Sequence, residues 1–471
     1  MQITKNKSDV LGLPFDKLKA VQRVLNMVKP LCRFRAHNNI VHLSILLFFS
    51  VLLSCNILYA AEVEDVDKAE IPQELEEAIE LRKVSEFKVI PLIDITALGT
   101  WSKIEGGGSL GGANIKGSIA PALRFDKNNY IIPLYSGGYN RERQVVVEEE
   151  GGRVYNEIMD HNITIEYKHI LDDKTSVKID GLVRSHFVKE KGYDWSDGLY
   201  DYRDFGVGST IEYYLEKTKT AKSSIGVGGE YYYRDYPNYT SLIALATVTA
   251  PETDEKNYNG FHPNLKYKYQ DSKINTSIFY SPLYKAYDDK KVIDTNGVLS
   301  DKERSDWFHY ITGDFSYLPA DIPVAFGIGL TGIFVDSNQN YYDSRSTVTL
   351  ADDVFTSDYY DFNSLKVNPN ITYIHRLEDK KSPATLTLGY AFTRRDYGDR
   401  KAQRADSSYT ADTQLDELNT LNAQAVYPLT EHVSFVAAGN YTDADSNMDY
   451  ETYYQYNYKS YFAGAGIRIK Y

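Results

Sequence analysis

The chain has 471 residues, of which 42% are apolar, with a formal charge of -13 and a mean hydropathy of -0.43. A hydropathy this low excludes a bundle of membrane helices, and the acidic balance gives no reason to expect a nucleic-acid partner. A membrane barrel is not excluded, because its strands hide only half their residues from water.

The first 61 residues differ in kind from the rest. Residues 1–35 carry eight Lys or Arg against Asp9 and Asp16, and residues 40–61 (IVHLSILLFFSVLLSCNILYAA) contain no Asp, Glu, Lys or Arg. A positive region, an apolar core and a small-residue exit make up a secretory signal, with cleavage after Ala60 or Ala61. Met27 is an alternative start that gives a signal of ordinary size. Two other readings stay open: a retained anchor, since 22 uncharged residues span a bilayer, and a lipidated Cys55 after Leu52-Leu53-Ser54. Both cysteines, Cys32 and Cys55, lie in this part, so the exported chain has no disulfide to stabilise it. Residues 62–86 form a periplasmic segment. PQELEEAIELRK within it has an early proline, early acids and a late Arg82 and Lys83, as a short helix prefers.

From Phe87 the apolar period is two. Strands are predicted at 87–101, 114–125, 128–138, 157–170, 175–188, 203–216, 222–235, 261–270, 273–283, 306–318, 322–335, 364–377, 383–395, 418–429, 432–442 and 461–471. In 383–395, for example, Ala384, Leu386, Leu388, Tyr390 and Phe392 alternate with Thr385, Thr387, Gly389, Ala391 and Thr393. A soluble sandwich also alternates, so two further features decide. Short connections (126–128, 171–175, 216–221, 270–273, 319–321, 377–382, 430–432) alternate with long ones without exception, as periplasmic turns and external loops do. Aromatics such as Tyr130, Tyr167, Tyr213, Tyr231, Trp307, Phe315, Tyr373 and Tyr390 sit on the apolar face toward strand ends, the place of an interfacial girdle. The 41 Tyr of the chain suit such a boundary, where a ring meets apolar matter and its hydroxyl meets water. The expected fold over 87–471 is therefore all-β: a closed antiparallel transmembrane barrel of about sixteen strands.

The chain ends YFAGAGIRIKY. Ala465, Ile467, Ile469 and Tyr471 alternate with Gly464, Gly466, Arg468 and Lys470, and the last residue is aromatic. In this the sequence resembles a Gram-negative outer-membrane β-barrel of porin-like class, whose final strand carries apolar alternation and a terminal aromatic. The resemblance implies an outer-membrane location, contact with outer-membrane lipid and lipopolysaccharide, and recognition of Ile467, Ile469 and Tyr471 by the barrel-assembly machinery. The extension before the barrel has no 34-residue repeat of the kind polysaccharide exporters carry.

With the apolar face outside, the other face lines a lumen. The expected pore-lining cations are Lys116, Arg124, Lys168, Lys178, Arg184, Arg234, Lys266, Lys268, Lys366, Arg376, Arg395 and Arg468, joined by Lys88 and Lys470. The acids of the same parity are fewer: Asp94, Glu166, Asp180, Asp204, Glu212, Glu230 and Asp314. A basic lumen favours anions, so the expected function is an outer-membrane channel for small hydrophilic solutes with an anion preference, possible as a homo-oligomer. The alternatives are an export pore for polysaccharide or protein, a binding scaffold, or a sleeve for a partner such as a cytochrome. The apolar run TSLIALATVTA in loop 236–260 is expected to fold inward, and VVVEEEGGRVY at 145–155 to form a hairpin above the membrane. No HExxH, GxSxG, P-loop, dinucleotide or CxxCH pattern occurs. Accordingly no enzyme activity, metal or cofactor is expected. His169, His309 and His375 share the lipid-facing parity, whereas His186 and His262 are expected to face the lumen.

Overall fold

The computed structural model describes residues 88–147, 151–189, 194–218, 220–239, 254–345, 353–452 and 454–471. The expected signal, the expected periplasmic segment 62–86 and the TSLIALATVTA run lie outside these residues.

Twenty strands follow one another along the chain. They are β1 (Lys88–Ile90), β2 (Ile93–Ile104), β3 (Gly108–Ile119), β4 (Ala122–Arg124), β5 (Asn129–Val147), β6 (Gly152–Ile170) and β7 (Thr175–Val188). Next come β8 (Tyr202–Lys217), β9 (Ala221–Asp235), β10 (Tyr258–Asp271), β11 (Ile274–Ile293), β12 (Leu299–Tyr317) and β13 (Val324–Ser337). The remainder are β14 (Tyr341–Asp343), β15 (Val354–Thr356), β16 (Phe362–His375), β17 (Ala384–Gln403), β18 (Tyr409–Pro428), β19 (Val433–Ser446) and β20 (Tyr458–Lys470). All but β14 and β15 belong to one antiparallel sheet.

Two breaks reduce this sheet to sixteen staves. Pro91 separates β1 from β2, and Pro121 separates β4 from β3. Neither proline has an N–H for the ladder. The breaks lie side by side, with Ile90 opposite Ala122, and the Ala120 amide bridges them by donating to Leu92 O at 2.8 Å.

The sheet closes on itself. β2 pairs with β20 from Asp94–Lys470 to Ile104–Ser460, and Ile93 and Tyr471 exchange both backbone hydrogen bonds at 2.9 and 2.8 Å. No edge therefore faces lipid at this seam. Arg468 reaches across it, with Nε donating to Asp94 Oδ1 at 2.9 Å. Glycine in the last strand has a steric reason there: a Cβ on Gly466 would run into the Ala97 carbonyl oxygen of β2.

Register fixes which residues share a face. Leu98, Asn114, Asn140, Asn422 and Asn440 lie on one side through successive pairs, and Ile179, Val207, Ile211, Val227, Leu265 and Leu388 lie on the other. The second set is more than 45% exposed although apolar. In lipid those side chains are solvated by acyl chains, which is why the fold needs no apolar core. Residue pairs two apart on this outer face mark its borders. Tyr167 stacks on His169, Trp307 on His309 and Tyr373 on His375, with ring centroids 6.4, 6.1 and 6.3 Å apart. Tyr130 is a correction: it pairs with Lys168, lies under Arg124 and belongs to the inner face.

Five of the seven short turns share one chemistry. Asp126 Oδ1 accepts from the amides of Asn128 and Asn129, Asp172 Oδ1 from Lys174 and Thr175, and Asp271 Oδ1 from Lys273 and Ile274, all at 2.6–2.9 Å. Thr218 and Thr430 play the same part with a hydroxyl. Each side chain satisfies amides that the reversing backbone leaves free.

On the opposite side the wall is uneven. β5–β6, β11–β12 and β17–β18 run for 19 or 20 residues, whereas β20 has 13. The expected hairpin at 145–155 is one of these, with Val147 opposite Gly152. The stretches 284–305 and 396–417, expected to be loops, are mostly strand. Register shifts at Ala286/Lys291 and Asp396/Lys401 break the alternation that would have revealed them.

Candidate functional site

The inner face of the barrel is where polar groups converge, and its two walls differ. From β6 to β10 it is charged. Arg184 donates to both Glu230 oxygens at 2.9 and 2.7 Å, and Arg234 to both oxygens of the fully buried Asp204 at 2.7 and 2.8 Å. Such two-pronged pairs fix geometry as well as charge. Lys178 pairs with Glu166 at 3.2 Å, and His186 Nδ1 lies 2.6 Å from Asp160 Oδ1. From β13 to β19 the inner face is mainly hydroxyl and amide: Thr331, Asn368, Asn370, Thr372, Thr387, Thr420, Asn422, Asn440 and Thr442. Thr372–Thr387 and Thr420–Thr442 bond across strands at 2.9 and 3.0 Å.

Eleven of the twelve expected pore-lining cations separate into three groups. Arg184, Arg234, Lys178 and Arg468 are held by carboxylates. Arg124 and Arg395 are held by other groups: Arg124 Nε donates to the Asp126 carbonyl at 2.9 Å, and Arg395 lies over Phe362 at 4.6 Å, opposite Asp416. Lys116, Lys168, Lys266, Lys268 and Lys366 make no ion pair within 4 Å among the described residues. Lys116, Lys268 and Lys366 are exposed although they point away from lipid, so the interior is hollow around them. Arg376 joins none of these groups. It lies one residue past β16, exposed in a short turn. Ile467, Ile469 and Tyr471 lie on the outer face as expected and are exposed.

Sequence reasoning missed Asp160, Lys285, Arg304, Asp306 and Asp416 on the inner face. Asp160 shares the parity of Glu166 and Asp306 that of Asp314, so both were legible. The others fall in the tall hairpins, beyond the predicted strand ends.

At the tall side of the barrel, tyrosines and cations form a continuous ring of contacts. Arg234 lies 3.6 Å from the Tyr202 centroid and 5.4 Å from that of Tyr258, which is 5.4 Å from Tyr287. Arg304 joins Tyr287 to Tyr360 at 4.8 and 4.3 Å, and Arg400 joins Tyr360 to Tyr359 at 5.8 and 4.0 Å. Beyond Tyr456, which interacts with Arg400, Arg153 links Tyr454 to Tyr200 at 5.1 and 4.4 Å. Tyr239 and Tyr236 then lead back to Tyr202, with centroid distances of 6.3 Å (Tyr200–Tyr239) and 5.6 Å (Tyr202–Tyr236). Burial pushes the Tyr456 and Tyr341 phenols well above their usual range, so both stay neutral hydrogen-bonding groups.

One serine–histidine hydrogen bond occurs on the inner face among the described residues. Ser281 Oγ is 2.6 Å from His262 Nε2, and it also donates to the Pro263 carbonyl at 3.1 Å. Ser281 has no exposed surface, and these two contacts tie β11 to β10.

A closed wall of sixteen antiparallel staves, apolar outside and polar around a hollow interior, defines an outer-membrane β-barrel, and its place is the cell outer membrane. No protein-family model and no curated protein matches the chain. Similar solved structures include OmpT of Vibrio cholerae, at 11% identity over 82% of this chain and 99% of that one, with a TM-score of 0.41. CdiB from Acinetobacter baumannii has 10% identity over 87% and 70% of the two chains, with a TM-score of 0.42. A bacterial polysaccharide outer membrane secretin has 7% identity over 81% and 98%, with a TM-score of 0.38. The class rests on the barrel's own strand pairing and not on these likenesses.

Proposed function

We propose that the barrel is a water-filled channel that passes small hydrophilic solutes with a preference for anions. Sixteen strands enclose an aqueous passage unless loops fill it. The observation that carries the reading is the set of inward lysines that make no ion pair within 4 Å among the described residues, Lys168, Lys266, Lys268 and Lys366. Glu212 acts on the first two from farther off. They stand against Arg184, Arg234 and Arg468, whose charge is matched by carboxylates. Matched pairs add little field at a distance, whereas unmatched ammonium groups raise the local anion concentration. The test is a planar-bilayer recording of the refolded protein in a potassium chloride gradient. A large ohmic conductance with an anion-side reversal potential is expected. Changing Lys266 and Lys268 together to Glu should shift that potential toward cations, while Arg376→Glu in the turn should not. Near-zero conductance would overturn the channel and favour the second reading, a capped export or binding barrel, which the tyrosine–cation ring around the mouth supports.

A further inference from the structure

The inner wall is not smooth. Where β3, β5 and β6 run side by side there is a recess of about 520 Å³. Register explains it. Lys116 lies opposite Gly138, and Gly138 lies opposite Asp160, so a lysine and an aspartate flank a position with no side chain. A Cβ on Gly138 would meet nothing nearer than Lys116 Cγ at 3.8 Å. The neighbouring row is equally low, since Ser118 faces Ser136 across the same strands. With strands about 4.8 Å apart, the Cα atoms of Lys116 and Asp160 are separated by about 10 Å.

Both flanking charges are available. Lys116 is exposed and makes no ion pair within 4 Å among the described residues, with Glu142 interacting with it from farther off. The other charged groups lining the recess, Asp94 and Arg184, are already bonded to Arg468 and Glu230. Asp160 is 53% exposed, and His186 Nδ1 holds one of its oxygens at 2.6 Å, which fixes the carboxylate and leaves the second oxygen for a ligand. An anion alone would meet Asp160, and a cation alone would meet Lys116. A solute carrying both charges satisfies the two ends at once, while the Ser118 and Ser136 hydroxyls between them accept or donate to its amide.

We infer that this recess is a binding site for zwitterionic solutes of the size of a free amino acid or short peptide, with the carboxylate at Lys116 and the ammonium at Asp160. The inference deepens the channel reading and rests on it for access, because the recess opens into the lumen.

The probe is glycylglycine, with acetate and ethylammonium as single-charge controls. Titration calorimetry on the detergent-refolded full chain and current block in bilayers are measured side by side. Glycylglycine should bind about 10-fold or more tightly than either control. Lys116→Met and Asp160→Asn should each weaken it about 10-fold, and Gly138→Val should abolish binding by filling the recess while leaving the wall intact. Equal affinity for acetate and glycylglycine, or binding unmoved by all three variants, would overturn the assignment. Conductance without glycylglycine binding removes the recess and keeps the channel. Binding that the variants abolish, in a protein with no conductance, removes the channel and keeps the recess.

Discussion

At the scale of single residues, a side chain's neighbours decide whether its charge is structural or functional. Asp204 is fully buried between Arg234 and Arg184, the latter at 3.9 Å. Arg234→Met should therefore destabilise the folded barrel by about 3 kcal/mol in urea titrations, because it strands a buried carboxylate. Lys366→Met, at an exposed lysine with no ion pair among the described residues, should leave the urea midpoint unchanged. The turn acids show a second logic. The Lys174 and Thr175 amides hold the Asp172 carboxyl below its usual range, and Asn129 and Asn128 do the same for Asp126. A depressed carboxyl stabilises the fold above its unfolded pKa and loses that contribution as pH falls through its folded one. The midpoint of heat-dependent gel migration should thus drop in acid below the ordinary carboxylate range, and less so in Asp172→Asn. At the rim the sign reverses. Burial, and then Asp336, Asp358 and Asp399, push Asp361 up to about 6 despite the Ser337 amide donating to it at 2.7 Å. Stability there is full below the unfolded pKa near 4 and is lost as pH rises through about 6. Protease protection of the 353–361 segment should be greater at pH 5 than at pH 7.5, a difference that Asp361→Asn should erase.

At the scale of strands, sequence and structure agree best where one face meets lipid. The predicted 175–188 and 222–235 match β7 and β9 to within a residue, because their apolar period runs unbroken. All sixteen staves and the alternation of short and long connections were legible for the same reason. Legibility failed where strands leave the bilayer. Above it both faces meet water or protein, so DDKK at 288–291 and DRK at 399–401 carry no period, and bulges shift what remains. The candidate site was half legible. Inward parity placed the lysines and arginines correctly apart from Arg376, but which of them are matched depends on strand pairing, such as Arg184 with Glu230, 46 residues apart. The pairing seam gives a test at this scale. Gly466→Val should reduce the yield of compact, heat-modifiable barrel, since its side chain would collide with the β2 backbone. Gly313→Ala, where a Cβ meets nothing within 4 Å, should fold normally.

At the scale of the whole molecule, a wall held by hydrogen bonds from stave to stave explains how the barrel residues 88–471, which include no cysteine, hold together without disulfides. It also leaves the two ends of the barrel unlike in reach. The short side finishes in seven short turns, five of them tied by a side-chain oxygen. The tall side carries three raised hairpins, on staves well separated around the circumference, joined by rings and guanidinium groups. Anything large that arrives from outside the cell, such as an antibody, a phage fibre or a neighbouring bacterium, would touch crests such as Asp294–Val298 and Arg404–Ser408 before it touched lipid. Those crests are where variation could alter what adheres to the cell without disturbing what passes through the wall.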